Sequence, residues 1–164
     1  MGCLYGIMTL HQREEFMRRI IALSTFIFAT SLSLPALASS AEGYWLTQNK
    51  RSVIHTYECD EGLCGKIHWI IEGGMQHDTK NPVMKDRTRP MCGLKILWGF
   101  EKDGSDWDSG KIYKADEGDT YSANIEIKDE NTLSLRGYIG IPLFGKSQEW
   151  KRVSPDDYKE CSVK

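Results

Sequence analysis

The order of apolar and polar positions divides the chain into two unlike parts. From Ile20 to Ala38 there are 19 residues without a charge. After residue 42 no window of ten residues carries a helical period. Short stretches instead alternate apolar and polar with period two, the mark of half-buried strands. Eight stand out, at 43–47, 51–58, 65–72, 94–101, 110–114, 120–128, 132–139 and 147–153. Turn-forming clusters separate them, among them Gln48-Asn49, Asp60-Glu61-Gly62, Asp103-Gly104, Asp116-Glu117-Gly118 and Asp129-Glu130-Asn131. Eight short strands at near-regular spacing predict an antiparallel barrel or sandwich. Gly99, Gly137 and Gly140 stand where sharply bent strands take bulges.

The first hairpin can be registered from the pattern. Centring its turn on Glu61-Gly62 sets Cys59 opposite Cys64, Tyr57 opposite Lys66, His55 opposite His68 and Arg51 opposite Glu72. Ile54 then faces Trp69 and Thr56 faces Ile67. One face carries Ile54, Ile67, Trp69 and Ile71 and is expected to point inward; the other carries the histidines, Lys66 and the cysteines. Directly opposed, His55 and His68 would supply two metal ligands, but a third is not evident beyond His77, and an exterior cross-strand pair is the simpler reading.

The uncharged run decides what the remaining residues are for. Met17-Arg18-Arg19 precedes it and Pro35-Ala36-Leu37-Ala38 ends it, which is the basic, apolar and small-residue order of an export signal cut after Ala38 or after Ala41. Its Ser/Thr content and Pro35 argue against a membrane-spanning helix. Residues 1–16 place Glu14 and Glu15 where such a signal is basic, so Met17 reads as its start. No cysteine follows the cleavage region before Cys59, which argues against a lipid anchor. The reading is of an exported, periplasmic protein with no stable membrane insertion, its domain spanning residues 42–164.

Composition changes its meaning once the front is set aside. The whole chain has 164 residues and net charge −2. Removing the first 41 residues takes away Arg13, Arg18, Arg19, Glu14 and Glu15. This leaves 123 residues with 18 basic and 21 acidic ones, net −3. One mildly acidic domain without a basic patch is a poor partner for nucleic acid. Four cysteines remain, Cys59, Cys64, Cys92 and Cys161, and an even count in an exported domain predicts two disulfides with three possible connectivities. The hairpin favours Cys59–Cys64, leaving Cys92–Cys161. No cysteine pair has zinc spacing, and neither metal nor cofactor is implied.

Between the third and fourth strands lie 21 residues, 73–93, a length typical of lids and binding elements. Lys80, Lys85, Arg87 and Arg89 outnumber Asp78 and Asp86 there, so an anionic small molecule would be drawn to this loop. Trp45, Trp69, Trp98, Trp107 and Trp150 fall in or beside predicted strands and read mainly as core.

Gly43-Tyr44-Trp45 on the first strand and Arg152 on the last resemble the G-x-W and late-Arg pair of lipocalins, in which the Trp closes one barrel end and the Arg packs over it. A fuller likeness runs from Gly43 to Val153. Its segments are Leu63 to Ile67, Asp78-x-x-Asn81-Pro82, Arg89-Pro90-x-x-Gly93-Leu94, Trp107-x-x-Gly110-x-Ile112-Tyr113, and Leu135 to Gln148 with Trp150 and Arg152. Together they resemble the bacterial exported domain-of-unknown-function 2147 family. The resemblance implies a small, eight-stranded, lipocalin-like periplasmic barrel and supplies no catalytic residues. Lys114-Ala115-Asp116 replaces that family's usual Asp-Pro turn, and Cys161 lies outside its motifs.

The function these features point to is binding of a small amphipathic or anionic molecule in the barrel. Asp78, Asn81, Arg89, Trp107, Tyr113, Tyr121, Arg136 and Tyr138 are the candidate contacts. Trp45, Trp150 and Arg152 are structural. Arg136 stands between apolar strand positions and needs an acidic partner such as Asp78, an anionic ligand or exposure. An envelope protein-interaction module with a filled barrel is the alternative, its best feature the apolar tip Gly140 to Gly145, unless that tip buries Phe144. A hydrolase or isomerase using His55, His77 or Asp78 lacks a nucleophile motif.

Overall fold

The computed structural model describes residues 40–162. The strands are β1 (Gly43–Leu46), β2 (Ser52–Cys59), β3 (Gly62–Ile70), β4 (Lys95–Asp103), β5 (Asp106–Lys114), β6 (Asp119–Asp129), β7 (Thr132–Tyr138) and β8 (Lys146–Arg152). Each pairs antiparallel with the next, and β8 returns to β1, so the eight close into a barrel. The expected strands all occur, in order. The fifth begins earlier than its apolar pattern suggests, because Asp106 to Ser109 continue the β4 ladder past their polar side chains. The export-signal reading and the start at Met17 fall outside the described residues.

Antiparallel order puts the connections at two ends. At one end lie three two-residue turns, 60–61, 104–105 and 130–131; at the other lie 47–51, 71–94, 115–118 and 139–145. The end with the tight turns is packed solid. Trp45, Leu63, Phe100, Ile125 and Leu133 are fully buried in the core there, with Trp107 nearly so. Two glycines make this packing possible. Gly62 has φ +90°, and a Cβ on it would meet the Phe100 carbonyl oxygen at 1.9 Å; a Cβ on Gly110 would enter the Phe100 ring. Arg152 lies over the Trp45 ring at 4.1 Å and donates to the carbonyls of Ser40, Glu42 and Glu130. Trp45 on the first strand and Arg152 on the last thus meet at this end of the barrel.

The first hairpin differs from its expected register by two residues. Tyr57, not Cys59, lies opposite Cys64; His55 faces Lys66 and Ile54 faces Ile67. A two-residue slip preserves faces, since side chains alternate with period two. The Cys59–Cys64 disulfide therefore still forms, across a diagonal. A register shift at Val53/Ile54 then accommodates one extra β3 residue, His68, and reverses the alternation beyond it. Trp69 consequently leaves the expected inward face and packs on Tyr158 outside the core, while Ile70 takes the inward place. Gly137, expected at a bulge, sits in unbroken register between Ala123 and Lys146.

The chain end is strapped over the outer face of β3. The Tyr158 carbonyl lies 2.9 Å from His68 Nε2, and the Cys161 N–H donates to the His68 carbonyl at 2.9 Å. Cys92–Cys161 ties this strap to the long loop. The described core, ladders and both disulfides all lie within residues 41–161.

Candidate functional site

The end with the long connections opens on a cavity of about 450 Å³, within the usual range for small-molecule sites. Its walls are apolar: Ile54, Ile67, Ile70, Met75, Met91, Ile96, Ile112 and Trp150 contribute to them. Polar groups collect at the rim, including Thr47, Asn49, Arg51, Ser52, Lys114, Asp116 and Gln148. The interior is therefore filled in one half and hollow in the other, neither of the two simple alternatives for a barrel of this size. A smaller depression of about 310 Å³ is lined by Leu46, Thr47, Gln48, Lys50, Glu149 and Lys151.

The two rim cations differ. Lys114 is ion-paired with Glu117 and lies 3.9 Å from Asp116, and the Glu117 contact raises its pKa. Arg51 makes no salt bridge among the described residues. It is the rim charge left free to meet an anion.

Four of the residues selected from the sequence do converge, beside the cavity rather than in it. Asp78 is 0% exposed. Its Oδ1 accepts from the Tyr113 hydroxyl at 2.7 Å; its Oδ2 accepts from Asn81 Nδ2 at 2.7 Å and from Arg89 Nε and Nη2 at 2.8 and 2.7 Å. Burial pushes the Asp78 carboxyl up, but the bonds from Asn81, Tyr113 and Arg89, with the Arg89 charge, outweigh it and hold the group below its ordinary range. Tyr113 moves the opposite way, raised by burial and by its bond to Asp78. Arg89 also lies 5.4 Å from the Tyr113 ring centroid. Both Asp78 oxygens are engaged from within the group, so the network fastens the long loop to β5. A carboxylate so bound is a poor proton acceptor. Only Tyr113 of the four also lines the cavity.

The other four candidates lie elsewhere. Trp107 is buried in the packed half. Tyr121 donates to Glu117, and Tyr138 donates to Asn124 at 3.2 Å. Arg136 is half-buried and meets neither an acidic partner nor open solvent alone: it donates to the Pro142 and Leu143 carbonyls and the Ser147 hydroxyl, and among the described residues it makes no salt bridge. None of these four lines the cavity. Arg51 and the isoleucines at 67, 70, 96 and 112 were not among the expected ligand contacts. Arg51 lies in the 47–51 connection, and Ile70, Ile96 and Ile112 stand toward the mouth-side ends of their strands, a signal visible only once the two ends are distinguished.

The histidines stay apart from the cavity. His55 and His68 are on the outer face as expected but not opposed; both pack on Tyr44, at centroid distances of 4.4 and 4.7 Å. Burial, then Lys66 and His68, lower the His55 pKa. His77 pairs through its backbone with Pro90 in the long loop. Among the described residues no three or more His, Cys, Asp or Glu side chains are grouped as metal ligands.

The same fold recurs in a solved structure described as protein HP1028 from the human pathogen Helicobacter pylori, a member of the lipocalin family. The TM-score is 0.67 at 23% identity, covering 76% of this chain and 93% of that one. At that identity the likeness establishes the fold alone. No curated protein sequence matches the chain. A family of proteins conserved in bacteria, DUF2147, matches residues 43–152, which take in all eight strands, the loop network and the Trp45/Arg152 closure. The chain belongs to the DUF2147 family.

Proposed function

We propose that the protein is an exported, periplasmic binder of a small amphipathic molecule bearing an anionic group. The observation that carries this reading is the half-hollow barrel, an apolar cavity whose rim presents one unpaired cation, Arg51. An apolar body against Ile67, Ile70, Met91, Ile112 and Trp150 gains the transfer free energy of its buried surface. An anionic head beside Arg51 stays near water and avoids the cost of burying a charge. The Asp78 network supports the site by fixing the loop that contributes Met75 and Met91.

The test is a titration with dansylated undecanoic acid, alongside native mass spectrometry of protein taken from its own periplasm. Saturable binding is expected, together with a bound mass that Ile112→Trp removes by filling the cavity. Absence of a bound mass together with no dansyl response overturns the reading.

The fold's use of Ser40 and Ala41 discriminates between the two candidate cleavage sites of the proposed export signal. Ala41 is in the core, and its carbonyl accepts from Trp45 Nε1 at 2.9 Å and from Thr56 Oγ1 at 2.6 Å. The Ser40 carbonyl accepts from Arg152. Cutting after Ala41 would remove both, so cleavage after Ala38 is the proposed site. N-terminal sequencing of the exported protein should begin at Ser39. A chain beginning at Glu42, or one retaining residues before Met17, contradicts this.

A further inference from the structure

Among the described residues, the large apolar side chains that stand exposed are Ile71, Val83, Met84, Ile139, Ile141, Leu143 and Phe144. Every one lies in the 71–94 or 139–145 connection, at the mouth of the cavity, and none at the packed end. Scattered exposed apolar residues need no explanation, but confinement to one end does.

The 139–145 connection, Ile-Gly-Ile-Pro-Leu-Phe-Gly, holds no polar side chain. Leu143 and Phe144 are 75% and 77% exposed. Around the tip the backbone is partly satisfied from within: the Phe144 N–H donates to the Ile141 carbonyl and the Gly145 N–H to the Pro142 carbonyl. Arg136 covers the Pro142 and Leu143 carbonyls from the strand side, and Pro142 has no N–H to satisfy. Outward apolar side chains gain on leaving water, and at the hydrated headgroup level the remaining backbone groups keep partners, which suits shallow interfacial insertion.

Charge is distributed in the same sense. The turns at the packed end carry Asp60, Glu61 and Glu130 and no cation. The connections around the mouth carry six Lys or Arg against five Asp or Glu. The acidic end would be repelled by an anionic surface and the mouth turned toward it.

We propose that the mouth end docks on an anionic lipid bilayer, with Leu143 and Phe144 inserted at the interface and Lys80, Lys85 and Arg87 facing lipid phosphates. Docking requires the loops and not the cavity, so it stands independently of what the barrel binds. It is shallow and reversible, because two short loops bury far less than an anchoring helix.

The experiment is cosedimentation of the exported protein, purified from the periplasm, with large unilamellar vesicles of phosphatidylcholine containing about one third phosphatidylglycerol, the anionic share being chosen to engage the Lys and Arg residues. Wild-type protein is expected to pellet with these vesicles and less with pure phosphatidylcholine. Leu143→Ser/Phe144→Ser is expected to weaken binding at least tenfold with an unchanged melting temperature. Leu143→Trp should add blue-shifted emission on binding, quenched by acyl-brominated lipid; this reading holds even if the double variant melts early. Protein remaining in the supernatant, a double variant that pellets like wild type, or a residue-143 Trp that stays unquenched in bound protein overturns the proposal.

Discussion

At one end of the barrel, three two-residue turns join strands whose inward side chains fill the interior around Phe100 and Trp45. At the other, longer connections surround a cavity of about 450 Å³ and expose apolar side chains. The same eight strands run through both ends. What differs is what lies inward and how far the chain travels before turning back. Tight turns bring neighbouring strands together with little loop entropy and let large side chains interlock. Long connections leave the interior unclosed and must be held by other means, here the Asp78 network and the Cys92–Cys161 link. Packed core and open cavity are thus separated along the barrel axis.

The largest test of that separation removes packing from the solid end. Trp45→Ala should cost about 3–5 kcal/mol by opening a cavity in the filled half, read as a fall in melting temperature. A mild effect would mean that this half is not the stabilising one.

Next is the pair of disulfides. In the chain-entropy account, Cys92→Ser/Cys161→Ser, with a sequence separation of 69, should cost about 4 kcal/mol. Cys59→Ser/Cys64→Ser, with a separation of 5, should cost about 2 kcal/mol. Denaturant unfolding of the two double variants reads the difference, and equal costs would deny the strap its role in holding the mouth end.

Asp78→Ala leaves the Tyr113 hydroxyl and Arg89 without their acceptor and should cost about 2 kcal/mol. Its pH dependence has a definite sign. The folded Asp78 pKa is depressed, so its contribution is full above the ordinary carboxylate value of about 3.9 and is lost as pH falls through the lower folded value. Asp78→Asn should therefore flatten the acid limb of the stability curve. A limb unchanged by the substitution would place the pH-sensitive group elsewhere.

The smallest effect belongs to the exposed tip. Phe144→Ser should move stability by less than about 0.5 kcal/mol, against the several kcal/mol of the same kind of loss at Trp45. A large loss would mean that the tip is core, as its apolar run suggests when read without its exposure.

Local chemistry made much of this legible. Alternation and turn residues gave eight strands, because a half-buried strand cannot hide its period. The cysteine pairing survived a two-residue error in register, because faces depend only on parity. Trp69 was misplaced because a single extra residue at His68 changes parity, and nothing in the flanking residues announces a bulge. The site was legible in part. Asp78, Asn81, Arg89 and Tyr113 were four of eight candidate ligand contacts, and the structure bonds them chiefly to one another. Arg51 was placed only as the hairpin partner of Glu72 and not among the contacts, because its significance lies in making no salt bridge among the described residues.

By itself, then, the sequence determined the eight strands and favoured the Cys59–Cys64 link, consequences of pattern and short-range pairing, while the Trp45/Arg152 closure came from resemblance. Only the tertiary structure decided which half of the barrel is hollow, which end bears the exposed apolar tip, and which rim cation is free. Those properties belong to distances between residues far apart in the chain, and periodicity carries no information about what is left empty.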